Sequence, residues 1–503
     1  MSISGTRFTT LPAIAWAVAA VVVSASGFGA IVWREAFSPW LVGGLLALVA
    51  TLSTLAAARL WRMRRLAFAW LACALACAVL ASLALVVDLG LLVAVRRLAT
   101  APLDPRTVQG TVEPGFEEVA EAFRDNFTRR GELGAACAIY LRGRKVVDLW
   151  GGYRDLAQRD PWTRDTMVAV FSSTKGMAAT AVAVAHSRGL IDYDEKVASY
   201  WPEFADAGKA DITVRQLLAH QAGLACLDER VSLDTLKDPD RLAGVLARQR
   251  PLWPPGSRHG YHGVTVGLYE GELVRRVDPL HRSLGQFFHH EVARPLQIEF
   301  YVGLPRDIPS RRMARLEFYD LSATLLRPQE ITWGFLAAMR QPSSLTTRMF
   351  TNPSLAGLFP DYARDELRGI EIPSVNGVGE ARALARAYAE LAGGAPTLRL
   401  APRTLAALAA PAQAPSGGSF DLVLLDTTSF SLGFMKPDES FRFGASDTAF
   451  GSPGMGGSFG YADPDRQVGY AYTPNRLGYN IRDDPRDAAL RRALDRCLRR
   501  GAR

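Results

Sequence analysis

Phe171-Ser172-Ser173-Thr174-Lys175-Gly176 is the stretch on which the reading of this chain turns. A serine and a lysine three residues apart lie on one face of a helix, one turn from each other, so the Lys175 amine can reach the Ser172 hydroxyl. The chain has fifty-two arginines and only six lysines. Guanidinium stays charged at any ordinary pH, whereas burial and nearby cations can strip an ammonium of its proton. A neutral Lys175 would then take the Ser172 proton and create a nucleophile. By itself Ser-x-x-Lys also fits a solvated helix face. Its flanks decide. Thr166–Phe171 is an apolar run entering a core, and Gly176–His186 is Ala-rich and apolar throughout, with Gly189 placed to end it. That pattern predicts a buried helix with Ser172 in its first turn, where helix N–H groups favour an oxyanion.

Two further elements lie downstream. Pro254-Pro255-Gly256-Ser257-Arg258-His259-Gly260-Tyr261-His262-Gly263 is an irregular loop, with Tyr261 just before a new apolar, helical stretch. A phenol beside a lysine ammonium ionises more easily and can share general-base work. Phe450–Gly460 is dense in glycine, which lets backbone N–H groups approach a substrate closely.

With these blocks in order, the chain resembles the serine β-lactamase-related hydrolases, nearest the class C β-lactamase-like esterases and lactamase-domain proteins. The resemblance runs from about Val108 to Asn475 and includes Gly134–Tyr140, Val146–Gly152, Thr213–Leu224 and Gly456–Pro464. It implies an α/β (α+β) domain of the β-lactamase/transpeptidase type: an antiparallel sheet flanked by helices, plus a mostly helical lobe. It makes Ser172 the acylated nucleophile and Lys175 its proton acceptor, with Tyr261 helping to activate the serine and protonating the leaving group. The oxyanion hole would be the backbone N–H groups of Ser172 and Met455, with His262, Ser452 and Gly454 in the substrate pocket. Two positions depart from the pattern. Gly263 stands where penicillin-recognising relatives usually have Asn, and Ser452-Pro453-Gly454 stands where they have Lys-Thr-Gly. The acylation machinery is present; the cation that recognises a carboxylate is not.

Other signals are decoys. Gly456-Gly457-Ser458-Phe459-Gly460 satisfies Gly-x-Ser-x-Gly, but a nucleophile elbow needs a helix after the serine and a later histidine. Tyr461–Arg466 reads as a turn and Val468–Tyr472 as a strand, and the last histidine is His290. The seven histidines include no His-Glu-x-x-His, so no metal or other cofactor is expected. His220 is expected to pack at a helix end. Ser374-Val375-Asn376 imitates another lactamase motif but is read as a turn and N-terminal cap for a helix from Glu380.

The front of the chain faces a different solvent. Residues of about 11–33, 40–58 and 66–87 are long and apolar enough to cross a bilayer as three transmembrane helices, making residues 1–100 a membrane region. Arg59, Arg62, Arg64, Arg65 and Arg7 on one side, against Arg34, Arg96 and Arg97, place the 59–65 loop in the cytoplasm and residues 105–503, the hydrolase domain, outside. Five scattered cysteines give no disulfide framework. The net charge of +8 comes partly from an Arg-rich terminal helix from Ala488, with a solvated or lipid-facing basic side. No nucleic-acid module appears. Antiparallel strands are expected at Ala135–Leu141, Lys145–Leu149, Phe430–Met435 and Val468–Tyr472, with a mobile cover over the pocket from Phe300 to Phe359. The leading expectation is a membrane-tethered serine hydrolase for carboxylic esters or small amides. A catalytically weak sensor or scaffold, or an acyltransferase, are the alternatives.

Overall fold

Arg142 and Gly143 adopt φ of 51° and 76°, the left-handed pair that a two-residue hairpin needs to match strand twist. They join β2 (Gly134–Leu141) to β3 (Arg144–Asp155), with Leu141 opposite Arg144. The computed structural model describes residues 107–318, 333–354, 365–478 and 480–501. The three apolar runs at the front of the chain lie outside them. Among the described residues no helix is long and apolar enough to cross a membrane.

The main sheet is antiparallel. Its other strands are β1 (Gln109–Val112), β4 (Phe430–Ser431), β5 (Phe434–Met435), β6 (Phe450–Pro453), β7 (Phe459–Asp463) and β8 (Val468–Pro474). Their order is β1-β3-β2-β8-β7-β6-β5-β4, and the short strand Asp160–Pro161 extends the β3 edge. Both faces are covered. A Cβ at Gly469 would run into Ala385 and Ala389 of a helix on one face, while the next residue, Tyr470, donates from its phenol to Asp487 on the other, 2.7 Å away. Period-two alternation sends these neighbours to opposite sides, so β8 is buried along its length.

Five helices matter for the site. They are α1 (Glu117–Arg129), α2 (Thr174–Ser187), α3 (Thr265–Val277), α4 (Ala381–Ala392) and α5 (Pro485–Gly501). Helix α2 is buried from Thr174 to His186, which its apolar composition requires. It ends as expected, with Gly189 at φ 74° and Leu190 N–H donating to Ala185 O over 3.0 Å. Helix α5 packs on α1; Arg496 and Arg500 pair with Glu118, and Arg499 with Asp495. These arginine side chains are exposed, so the basic side is solvated.

Three expectations need correction. Phe430–Met435 is a hairpin of β4 and β5, because Leu432 and Gly433 turn at φ 51° and 86°. The Tyr461–Arg466 turn starts later, since β7 runs to Asp463. The described part of Phe300–Phe359 is no loose cover: Thr346 donates to Val423 O over 2.7 Å and Met349 is buried. The remainder of that stretch lies outside the described residues.

Candidate active site

Phe171 enters α2 with φ 48°, a left-handed conformation that costs a bulky residue strain. The Thr174 hydroxyl locks this corner, donating to Phe171 O over 2.5 Å and accepting from Gly377 N over 2.8 Å. Ser172 thus sits at the turn just before the helix and not inside its first turn. Both Ser172 and Lys175 are buried.

Lys175 Nζ lies 3.1 Å from Ser172 Oγ, the geometry the spacing predicted. Its other two hydrogen bonds go to Gly263 O at 2.6 Å and Ser374 O at 2.8 Å. Burial pulls its pKa down to about 7, with Glu270 opposing the fall. A base that is half neutral near neutral pH is well matched to taking a hydroxyl proton. Tyr261 packs its ring 4.8 Å from Lys175 Nζ, and its phenol lies close enough to the Ser172 hydroxyl to feel it. Burial pushes that phenol well above its ordinary value, the opposite of the easier ionisation expected of it. Tyr261 is therefore held neutral here, while Lys175 is the group whose pKa lies near neutral pH.

Backbone clamps hold Tyr261 in place. The buried Asp421 carboxylate accepts from Tyr261 N at 3.1 Å and from Val423 N and Leu424 N, both at 2.8 Å. An Asn at position 263 would require Met349 to move, because a Cβ there would meet Met349 Sδ. The pocket beside Lys175 is lined by His220, Tyr261, Phe430, Met435, Ser452 and Ile481 among others. Its walls are mostly apolar.

The expected pocket residues divide. Ser452 reaches the pocket, but its hydroxyl donates to Ser172 O over 2.7 Å, bracing the nucleophile. Gly454 is packed against Val170 O and Ser458, with no room for a side chain. His262 does not face the pocket. It is fully buried, accepts from Leu224 N at 2.9 Å and meets Gly260 O at 2.6 Å, and burial lowers its pKa to about 3. His220 packs just after the helix Val214–Leu218, neutral and 5.1 Å from the Tyr261 ring. Met455 follows Gly454, and among the described residues no backbone carbonyl takes its N–H. Ser458 is bonded to Val170 O and Ser173 and leads into β7, so no nucleophile elbow exists. Among the described residues no group of His, Cys, Asp or Glu is placed to hold a metal ion.

Sequence reasoning missed two site residues. Ser374 was assigned a capping role, yet the cap of α4 is Glu380, and Ser374 instead offers its carbonyl to Lys175. The Ser-Val-Asn pattern was the signal, set aside. Asp421 carried none, being one aspartate in a two-residue strand 160 residues from its partner.

Comparison with known proteins gives the family. The Beta-lactamase family model matches residues 116–495. An esterase/beta-lactamase, LipL of Mycobacterium tuberculosis, is 34% identical over 385 residues, which is 74% of this chain and 84% of that protein. A family VIII carboxylesterase of known structure superposes with a TM-score of 0.68 at 36% identity, covering 78% of this chain and 99% of that one. EstA from Arthrobacter nitroguajacolicus superposes with a TM-score of 0.67 at 30% identity, covering 78% and 100%. With the serine and lysine in hydrogen-bond contact and the match spanning the whole catalytic unit, the chain belongs to the beta-lactamase family and is a serine hydrolase.

Proposed function

We propose that the chain hydrolyses carboxylic esters or small amides through an acyl-enzyme on Ser172. Neutral Lys175 takes the Ser172 proton as Oγ bonds to the acyl carbon. The oxyanion is placed against the N–H groups of Ser172 and Met455. When the tetrahedral species collapses, the leaving alkoxide or amine takes a proton from the Tyr261 phenol, which is restored from the Lys175 ammonium. Water then repeats the sequence on the acyl group and releases the acid. The observation that carries this reading is the 3.1 Å approach of a buried lysine to the serine.

Esters are favoured over β-lactams by the third motif. Ser452 brings no charge and spends its hydroxyl on Ser172 O, and Pro453 has no backbone donor. A charge-assisted hydrogen bond to a substrate carboxylate is worth about 1.5–3 kcal/mol, roughly ten- to hundredfold in affinity. Side-by-side kinetics on p-nitrophenyl butyrate and a chromogenic cephalosporin test this, with kcat/KM expected to be higher for the ester. No ester turnover, or a clear preference for the cephalosporin, would sink the reading.

We further propose that residues 1–100 tether this catalytic unit to a bilayer with the unit on the extracytoplasmic side. The length of the three apolar runs and the arginines of the 59–65 loop support it. A C-terminal reporter active only in the cytoplasm would refute that orientation.

A further inference from the structure

Helix α3 carries one residue that its surroundings do not explain. Glu270 is wholly buried, and among the described residues neither carboxyl oxygen has a hydrogen-bond partner. A buried ionised carboxylate without partners is among the costliest things a core can hold, so its presence asks for a reason.

Its position supplies one. Ala179 lies one turn after Lys175 on the same side of α2. A Cβ at Gly433 would stand 2.7 Å from Ala179 Cβ and 3.2 Å from Glu270 Oε1. Gly433 in turn lines the pocket that contains Lys175. The carboxyl group therefore lies just behind the catalytic lysine, in space that the missing side chain of Gly433 leaves open. Each group acts electrically on the other, Lys175 being the one charge that opposes the effect of burial on Glu270.

We infer that Glu270 is a positioning residue for the reaction proposed above: its carboxyl group, behind Lys175 at the level of the next turn of α2, acts on the lysine through its charge and sets the pH at which the amine becomes a base. Burial raises the Glu270 carboxyl to about 8 while Lys175 falls to about 7, so the two lose their protons as a coupled pair. Where Glu270 is ionised, its carboxylate stabilises the ammonium formed when Ser172 gives its proton to Lys175, without touching the substrate.

The neighbouring charges do not compete for this role. On α2 the facing charge is Lys175, and the turn before the helix Val197–Tyr200 brings the Tyr193 phenol, which Glu270 helps to hold un-ionised. Tyr200 on that helix is occupied by Asp192 N. The adjoining helix Leu284–Phe288 and the Leu432–Gly433 turn carry no charged residue. On the two remaining packed helices, Arg215 pairs with Asp194, Arg248 with Glu229 and Asp240 with Arg275, while Arg241 is exposed.

The test compares the pH profile of kcat/KM on p-nitrophenyl butyrate, between about pH 5 and pH 9, for the full chain and for Glu270→Gln and Glu270→Leu. Removing the carboxylate removes what raises the Lys175 pKa, so the neutral amine persists to lower pH. Both variants should move the acid limb down by about one pH unit and reduce it to a single protonation. The plateau should fall only a few-fold, since the base is weaker, and the thermal midpoint should hold or rise. Profiles that superimpose on wild type, whatever the midpoint does, would overturn the inference. If the wild-type chain turns over no ester, the reaction proposal fails separately. NMR of 13Cε-labelled lysine then decides: six signals, Lys175 identified by its loss in Lys175→Arg, titrating about one unit lower in Glu270→Gln if the inference holds and unchanged if it does not.

Discussion

The pocket around Lys175 and the loop around Lys209 bury a lysine in nearly the same way and put it to different uses. Lys209 Nζ donates to three carbonyls, Asp206 O at 2.7 Å, Ala247 O at 2.6 Å and Gln249 O at 2.8 Å. Lys436 is similar, reaching Leu408 O at 2.7 Å and, at longer range, Thr448 O and Asp447 O. Lys175 has two carbonyls and one hydroxyl. Burial lowers all three lysines, Lys175 to about 7 and the others to about 8, so a lowered pKa does not by itself mark the base. The third partner does. A carbonyl can only accept, so a lysine that gave up a proton to solvent would leave one carbonyl unpaired. A hydroxyl can also donate, so Lys175 can turn its lone pair toward Ser172 and receive a proton. A buried lysine in this arginine-rich chain thus marks either a base or a compact cation fastening loops, and only the partners separate them.

Substitutions can break this contrast. The largest effect is expected from Lys175→Arg, whose guanidinium cannot act as a base near neutral pH. Ester turnover of the folded variant should fall by about a thousandfold or more. A folded Lys175→Arg variant with near wild-type turnover would remove the lysine from the mechanism.

Lys209→Met should do the reverse. It leaves three carbonyls short of a shared donor, at a cost of about 2 kcal/mol or more in denaturant unfolding. Its kcat should stay within about twofold of wild type, because the site is held by other contacts. An unaltered stability would mean that the three-carbonyl cradle contributes little.

The smallest effect is expected at the acceptor that Lys175 uses nearest Tyr261. Gly263→Ala places a Cβ against Met349 Sδ, and a flexible methionine can yield. A few-fold fall in kcat with little change in KM is expected from a slight displacement of the Gly263 carbonyl. A loss as large as that of Lys175→Arg would show that the carbonyl, not the amine's chemistry, limits the reaction.

How much could be read beforehand follows from how local each signal is. Ser172, Lys175 and the α2 helix were legible because spacing, apolar flanks and Gly189 all lie within one short segment. The antiparallel pair Ala135–Leu141 and Lys145–Leu149 was legible for the same reason. Leu432 was not, since a leucine at φ 51° contradicts its own preference and tertiary packing imposes it. The Ser374 carbonyl is a backbone atom that any residue could supply, so residue type says little about it. Glu270 comes just after the apolar stretch Val264–Leu268 that pointed to a buried helix, and nothing in that pattern distinguishes a carboxyl held behind the site from one turned to water.

The central claim is that Lys175 makes Ser172 nucleophilic and that the other buried lysines do not. A fluorophosphonate probe, with the modified serine located by mass spectrometry, tests it on the wild-type chain, Lys175→Arg and Lys209→Met. The account predicts a single adduct on Ser172 in wild type and in Lys209→Met, and none in Lys175→Arg. An adduct on another serine such as Ser458, no adduct in wild type, or labelling of Lys175→Arg at the wild-type rate would contradict it.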